Sequence, residues 1–118
     1  MIQFYSGKRL DIYFVTNSDG SCPVYEYLES LPDDVLVAFS SLTKILADNG
    51  RIQNIQQFRK IRDKIFEIKP KGYRFLGFFH KGAFVITNGF RKRGGGRSEK
   101  FPTKEFDKAQ RFFKEIAE

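Results

Sequence analysis

The residues best equipped for chemistry in this sequence are cations. Lys69, Arg74, Arg91, Lys92 and Arg93 stand around three runs that read as β-strands, residues 64–69, 73–79 and 83–88. Each run is rich in aromatic and β-branched side chains. Short connections containing glycine, Pro70-Lys71-Gly72 and His80-Lys81-Gly82, join the three as an antiparallel meander. Neighbouring strands lie only about 5 Å apart, so Lys69 and Arg74 on adjacent strands, with Arg91, Lys92 and Arg93 where the third strand ends, can converge on one patch. Such a patch suits phosphate. Guanidinium groups grip phosphate oxygens in pairs and stabilise the charge that builds up as a phosphodiester reacts. Lys60, Lys71 and Arg97 extend the basic set, and Tyr73 and Phe90 lie beside it in sequence. Single-stranded RNA is held by base stacking together with backbone contacts, which makes Lys60, Lys71, Tyr73, Arg93 and Arg97 the candidate RNA-binding residues. Phe90 is better read as core.

Other chemistries find less support. His80 is the only histidine, which excludes a paired-histidine ribonuclease mechanism and a histidine-rich metal site. At a hairpin turn it is expected to be solvated. The single cysteine, Cys22, excludes an internal disulfide and a cysteine-based zinc site, and it reads as a small residue near a helix start. Glu67 lies on the charged side of its strand, where a lone carboxylate usually balances nearby Lys and Arg. Gly94-Gly95-Gly96 lacks the strand and helix context of a phosphate-binding loop. Neither a cofactor nor a metal is expected.

Charge is distributed unevenly. The net charge is +7, but residues 1–57 carry four Lys/Arg against seven Asp/Glu, a balance of −3, while residues 58–118 carry seventeen against seven, a balance of +10. A positive potential confined to one half favours a polyanionic partner, because neutralising phosphates releases counterions and steers encounter. With 118 residues, 41% of them hydrophobic and 14 of them Phe, one domain over residues 1–118 can build a core unaided. Apolar runs stay well below the roughly 18 residues of a membrane span, and the start of the chain does not read as a signal sequence. A cytoplasmic protein with no membrane partner is expected.

The elements that must position the cations follow from periodicity. Residues 10–15 read as a first strand, followed by the turn-like Asn17-Ser18-Asp19-Gly20. Ser21 can cap a short helix with Pro23 in its first turn and Val24, Tyr27, Leu28 and Leu31 on one stripe. A longer helix restarts at Pro32-Asp33-Asp34 and keeps Val35, Ala38, Phe39, Leu42, Ile45 and Leu46 at helical spacing until Asn49-Gly50. These two helices form a hairpin whose apolar stripes need a sheet to cover. Residues 51–62 are polar enough to read as a connection, and residues 89–100 as a basic, glycine-rich loop. Pro102 opens a last helix carrying Phe106, Ala109, Phe113 and Ile116 on one face. The expected fold is α+β: an N-terminal strand and helical hairpin packed on a twisted antiparallel sheet, with a C-terminal helix.

Several short motifs, in order, resemble the RelE/ParE superfamily of toxins and most closely its HigB branch, over roughly residues 10–116. They are Pro23-Val24 through Leu31-Pro32, Ile65-Phe66-Glu67-Ile68, Gly72-Tyr73-Arg74-Phe75, Asn88-Gly89-Phe90-Arg91-Lys92, and Pro102-Thr103-Lys104-Glu105-Phe106 with Ala109. Glu67 stands where RelE itself has a lysine and the HigB branch a glutamate. The resemblance implies a RelE-like fold and the toxin of a type II toxin–antitoxin pair, a ribosome-dependent endoribonuclease (mRNA interferase) that cuts messenger RNA. It implies catalytic roles for Lys69, Arg74, Arg91 and Lys92, the first two at the RNA or its scissile phosphate and one of the last two as the basic stabiliser of the transition state. The reaction would be metal-free, with the ribose 2′-OH attacking the adjacent phosphate. Its partners would be the ribosome, messenger RNA and a cognate helix-turn-helix antitoxin. A ParE-like gyrase inhibitor, and a non-enzymatic basic module that binds RNA or the ribosome, are the alternatives that the same scaffold allows.

Overall fold

A computed structural model describes residues 1–91 and 103–118. Six strands and three helices follow the order β1 (Ile2–Ser6), β2 (Asp11–Phe14), α1 (Pro23–Glu29), α2 (Asp33–Asn49), β3 (Phe58–Arg62), β4 (Ile65–Ile68), β5 (Tyr73–His80), β6 (Ala83–Arg91) and α3 (Thr103–Ala117). The strands form one sheet in the order β1-β2-β6-β5-β4-β3. The α+β class is as expected, and so is the antiparallel β4-β5-β6 meander. The sheet as a whole is mixed, because β2 lies parallel to β6 with Ile12 opposite Phe84.

Local signals account for the helices. Pro23 fills the first turn of α1, where its missing N–H is no loss. The residue preceding the helix is Cys22, with extended backbone, and not Ser21. Ser21 is instead tied to Asp19, whose carboxylate accepts from its backbone N–H at 2.9 Å and its hydroxyl at 2.6 Å. Asp33 and Asp34 sit at the positive end of α2. Gly50 ends that helix at φ +80°, donating its N–H to the Leu46 carbonyl.

Both sheet faces are covered. On one, α1 and α2 bury Ile12, Phe14, Phe39, Leu46, Ile68, Phe75, Phe84 and Ile86. Gly89 lets α1 approach: a Cβ there would come within 2.6 Å of the Phe75 ring and 2.7 Å of the Tyr27 ring. On the other face α3 brings Phe106, Ala109 and Phe112 against Leu76, Phe78, Val85 and Phe90.

The strands differ from the sequence reading in three places. Residues 58–62, taken as part of a connection, form β3, paired antiparallel with β4. Phe-Arg-Lys-Ile-Arg looks unlike a core strand because β3 is an edge, with Phe58 its one buried residue. Ile2–Ser6, ahead of the first strand read from periodicity, is the opposite edge. Gly89, Phe90 and Arg91, placed in a loop, continue β6 opposite Phe75, Arg74 and Tyr73. The remainder of that loop, with Pro102, lies outside the described residues. Among the described residues no helix is long and apolar enough to cross a membrane.

Candidate functional site

Alternation along β4 and β5 decides where the cations go. Glu67 is opposite Leu76 on β5 and Arg59 on β3, so all three share the face that α3 covers. Lys69, two residues after Glu67, and Arg74, two before Leu76, belong to that face too. Their side chains meet on the carboxylate. Glu67 Oε1 is 3.1 Å from Arg59 Nε and 3.9 Å from Lys69 Nζ, and Oε2 is 3.0 Å from Arg74 Nη1. Glu67 is therefore not on an exposed face: its side chain is 0% exposed, that of Arg74 11%, Lys69 17% and Arg59 46%. The arrangement grades from a buried anion at the centre to a half-exposed guanidinium at the rim.

Arg91 belongs to a second group at the same end of the sheet. It pairs with Tyr73, while Arg74 pairs with Phe90. Direct partners share a face, so Arg91 lies on the α1 side and Arg74 on the α3 side. The Arg91 guanidinium stands over the Tyr73 ring, 5.3 Å from its centroid. Tyr73 in turn packs 6.5 Å from Tyr27 of α1. Burial pushes the Tyr27 phenol above its ordinary value, the nearby Tyr73 and Glu105 push the same way, and Arg91 opposes them.

The expected patch is thus divided. Lys69 and Arg74 come together on Glu67, whereas Arg91 and Tyr73 form a neighbouring cation–aromatic pair across the thickness of the sheet. Lys71 is in the β4–β5 turn and pairs with Asp34 of α2 at 3.3 Å, with both side chains exposed. Lys60 does not join this end. It is opposite Phe66 on the far part of β4 and lines a cavity with Lys64, Phe79 and Phe113. Phe90 is buried against α3, as its core reading requires. Lys92, Arg93 and Arg97 lie outside the described residues. Arg59 was missed, and the signal for it was weak: only knowledge that residues 58–62 form a strand beside β4 sets it opposite Glu67.

Tyr27, Arg59, Glu67, Lys69, Tyr73, Arg74 and Arg91 all fall within residues 26–114, the stretch matched by the family described as Phage derived protein Gp49-like (DUF891). The chain belongs to the Gp49-like family. No curated protein matches it. In this Gp49-like chain the Glu67 cluster offers two kinds of cation to an anion: point charges from Lys69, and planar forks from Arg59 and Arg74. The Tyr73–Arg91 pair next to it offers a flat surface and a further guanidinium.

Proposed function

We propose that this Gp49-like protein is the toxin of a type II toxin–antitoxin pair of RelE/HigB type, a ribosome-dependent endoribonuclease acting on messenger RNA. The observation that carries this reading is the meeting of Lys69, which follows β4, and Arg74 of β5 around one buried carboxylate, with Tyr73 and Arg91 at the same end of the sheet. Phosphodiester cleavage by the ribose 2′-OH needs the hydroxyl held in line with the departing 5′ oxygen, an acceptor for its proton, a donor of a proton to that 5′ oxygen, and neutralisation of the charge gathering on the phosphorus oxygens. Arg74 and Lys69 supply cations whose positions are fixed before substrate arrives, so little reorganisation accompanies the reaction. Tyr73 offers a face for a neighbouring base and Arg91 a contact to the backbone, which together orient the strand. Lys92, next in sequence to Arg91, is a further candidate stabiliser. Glu67, enclosed and with both oxygens engaged, acts on the cations rather than on the RNA.

The partners on this reading are the ribosome, messenger RNA and a helix-turn-helix antitoxin encoded alongside, and the protein works in the cytoplasm. Inducing the chain in bacteria is expected to arrest translation, with primer extension locating messenger cuts inside codons. Replacing Arg74, Arg91 and Lys92 together by Ala is expected to abolish both. Unchanged arrest in that triple variant refutes the site assignment. Intact messengers accompanied by DNA-damage signalling would replace the nuclease reading by gyrase poisoning. Harmless expression with no protein on pelleted ribosomes would reduce the chain to a basic binding module.

A further inference from the structure

We infer that Glu67 is a positioning residue that gathers Arg59, Lys69 and Arg74 into one phosphate-binding site, in which Arg59, delivered by edge strand β3, is the open arm. This rests on the reading above that RNA meets this end of the sheet, and it adds two residues to it.

The geometry of Arg59 is the starting point. It donates to Glu67 through Nε at 3.1 Å, and its side chain is 46% exposed. A guanidinium held by Nε keeps its two terminal amino groups clear of that bond, and these form the planar fork that grips phosphate oxygens. Arg59 is thus tethered at its base and open at its tip. Lys69 Nζ approaches the same carboxylate oxygen, Oε1, so the Arg59 and Lys69 nitrogens converge on a single atom. Arg74 holds the other oxygen from β5. Arg59 from β3, Lys69 from the residue that follows β4 and Arg74 from β5 therefore each bring a cation to one carboxylate, and the carboxylate itself is withdrawn from solvent.

Such a cluster is a poor choice for stability alone. Burying an ion pair costs desolvation that its Coulomb energy repays only partly, and well-packed apolar residues do as well or better. Its value is order: long, entropic side chains are fixed in one place before a ligand binds. The anion at its centre reduces the attraction that the three cations exert on RNA, yet it holds them where one phosphate can be met from three directions.

That opposition gives the test a sign. A labelled single-stranded oligoribonucleotide is titrated with the full chain over a series of salt concentrations, and each variant is checked by thermal unfolding. Arg59→Ala is expected to weaken binding about tenfold and to flatten the log–log salt dependence by about 0.7, the slope of one phosphate contact on a single strand. Arg59→Lys is expected to retain the slope and lose part of the affinity, because an ammonium lacks the fork. For Glu67→Gln, electrostatics alone predicts tighter binding, since a negative charge leaves the cluster. Positioning predicts weaker binding. Tighter binding by a folded Glu67→Gln variant overturns the role of Glu67. Wild-type affinity and slope in Arg59→Ala overturn that of Arg59. That variant changes a half-exposed side chain and tests the open arm of the site even where Glu67→Gln fails to fold. A wild-type chain that binds the oligoribonucleotide without salt dependence also overturns the site. The two readings fail separately. If Arg59→Ala binds normally while Arg74→Ala no longer cuts messenger, only the present inference falls, and if the slopes change as expected while the wild type cuts nothing, only the nuclease does.

Discussion

The two faces of the sheet are built on opposite principles. On the α1–α2 side the contacts are between rings: Phe39 meets Phe75 with centroids 4.4 Å apart, and Phe4 stacks on Phe14 at 4.8 Å. On the α3 side, apolar packing by Phe106, Ala109 and Phe112 gives way toward one end to Arg59, Glu67, Lys69 and Arg74. Apolar contacts are non-directional and tolerate adjustment, whereas a buried carboxylate keeps its pairing only while cations stand at fixed places around it. The comparison teaches that the aromatic face carries stability and the charged end of the other face carries a fixed geometry. Variants can separate the two.

The largest effect is expected on the aromatic face. Phe39→Ala removes a ring that is 1% exposed and sits between Phe14 and Phe75, and the lost burial plus the cavity are expected to cost about 3–5 kcal/mol. Urea denaturation measures it as a lower midpoint with an unchanged slope. A loss below about 1 kcal/mol would show that the ring cluster is not where the fold draws its stability.

A smaller loss of stability and a larger loss of function are expected at the charged end. Arg74→Ala leaves Glu67 with Arg59 and Lys69 still in reach, so the destabilisation is set at about 2 kcal/mol, below the ~3–5 kcal/mol of a buried pair broken outright. Translation arrest, on the proposed reading, is lost altogether. The two measurements, denaturation and growth arrest, are then ordered oppositely for Phe39 and Arg74 per unit of stability. If the arrest caused by each variant simply tracks its stability, the division of labour between the faces is wrong.

How much of this was visible in the sequence depends on how local each signal is. The helix over Asp33–Asn49 was legible because its acidic first turn, its apolar stripe and Gly50 all lie within a few turns of each other. The β4-β5-β6 meander was legible because short connections leave little choice of pairing. The edge strands were not. β3 shows one buried side chain, Phe58, among Arg59, Lys60, Ile61 and Arg62, a pattern that polarity alone assigns to a loop. The parallel pairing of β2 with β6 brings together segments some seventy residues apart, and nothing in either names the other. The candidate site inherits these limits. Lys69 and Arg74 were legible as cations close to one another across the β4–β5 connection, but the cluster on Glu67 includes Arg59 as well, and Arg59 was hidden with its strand. The position of Arg91 was misjudged for a related reason. Proximity along the chain suggested one patch, whereas the pairing of Tyr73 with Arg91 and of Arg74 with Phe90 sets the two guanidinium groups on opposite faces.

That last assignment yields the smallest effect, one silent at neutral pH. Burial, and the neighbouring Tyr73 and Glu105, raise the Tyr27 phenol above its ordinary value of 10.0, with Arg91 pulling it back. A phenol whose proton is held more tightly in the folded chain contributes stability that is complete below pH 10 and is lost as pH rises through the folded value. Above that point, the stability difference between the wild type and Tyr27→Phe is expected to shift in favour of the phenylalanine variant. Tyr5 is also raised, by burial and by its bond to Asp48, but it is common to both proteins and cancels in the difference. Phenolate absorbance gives the sharper version. With Tyr27→Phe as the reference, Arg91→Ala should move the Tyr27 titration further upward, because a cation that opposes the rise has gone, while Arg74→Ala should leave it where it was. An upward shift from Arg74→Ala and none from Arg91→Ala would exchange the two guanidinium groups between the faces, and the separation between an aromatic end and a carboxylate-centred end would have to be redrawn.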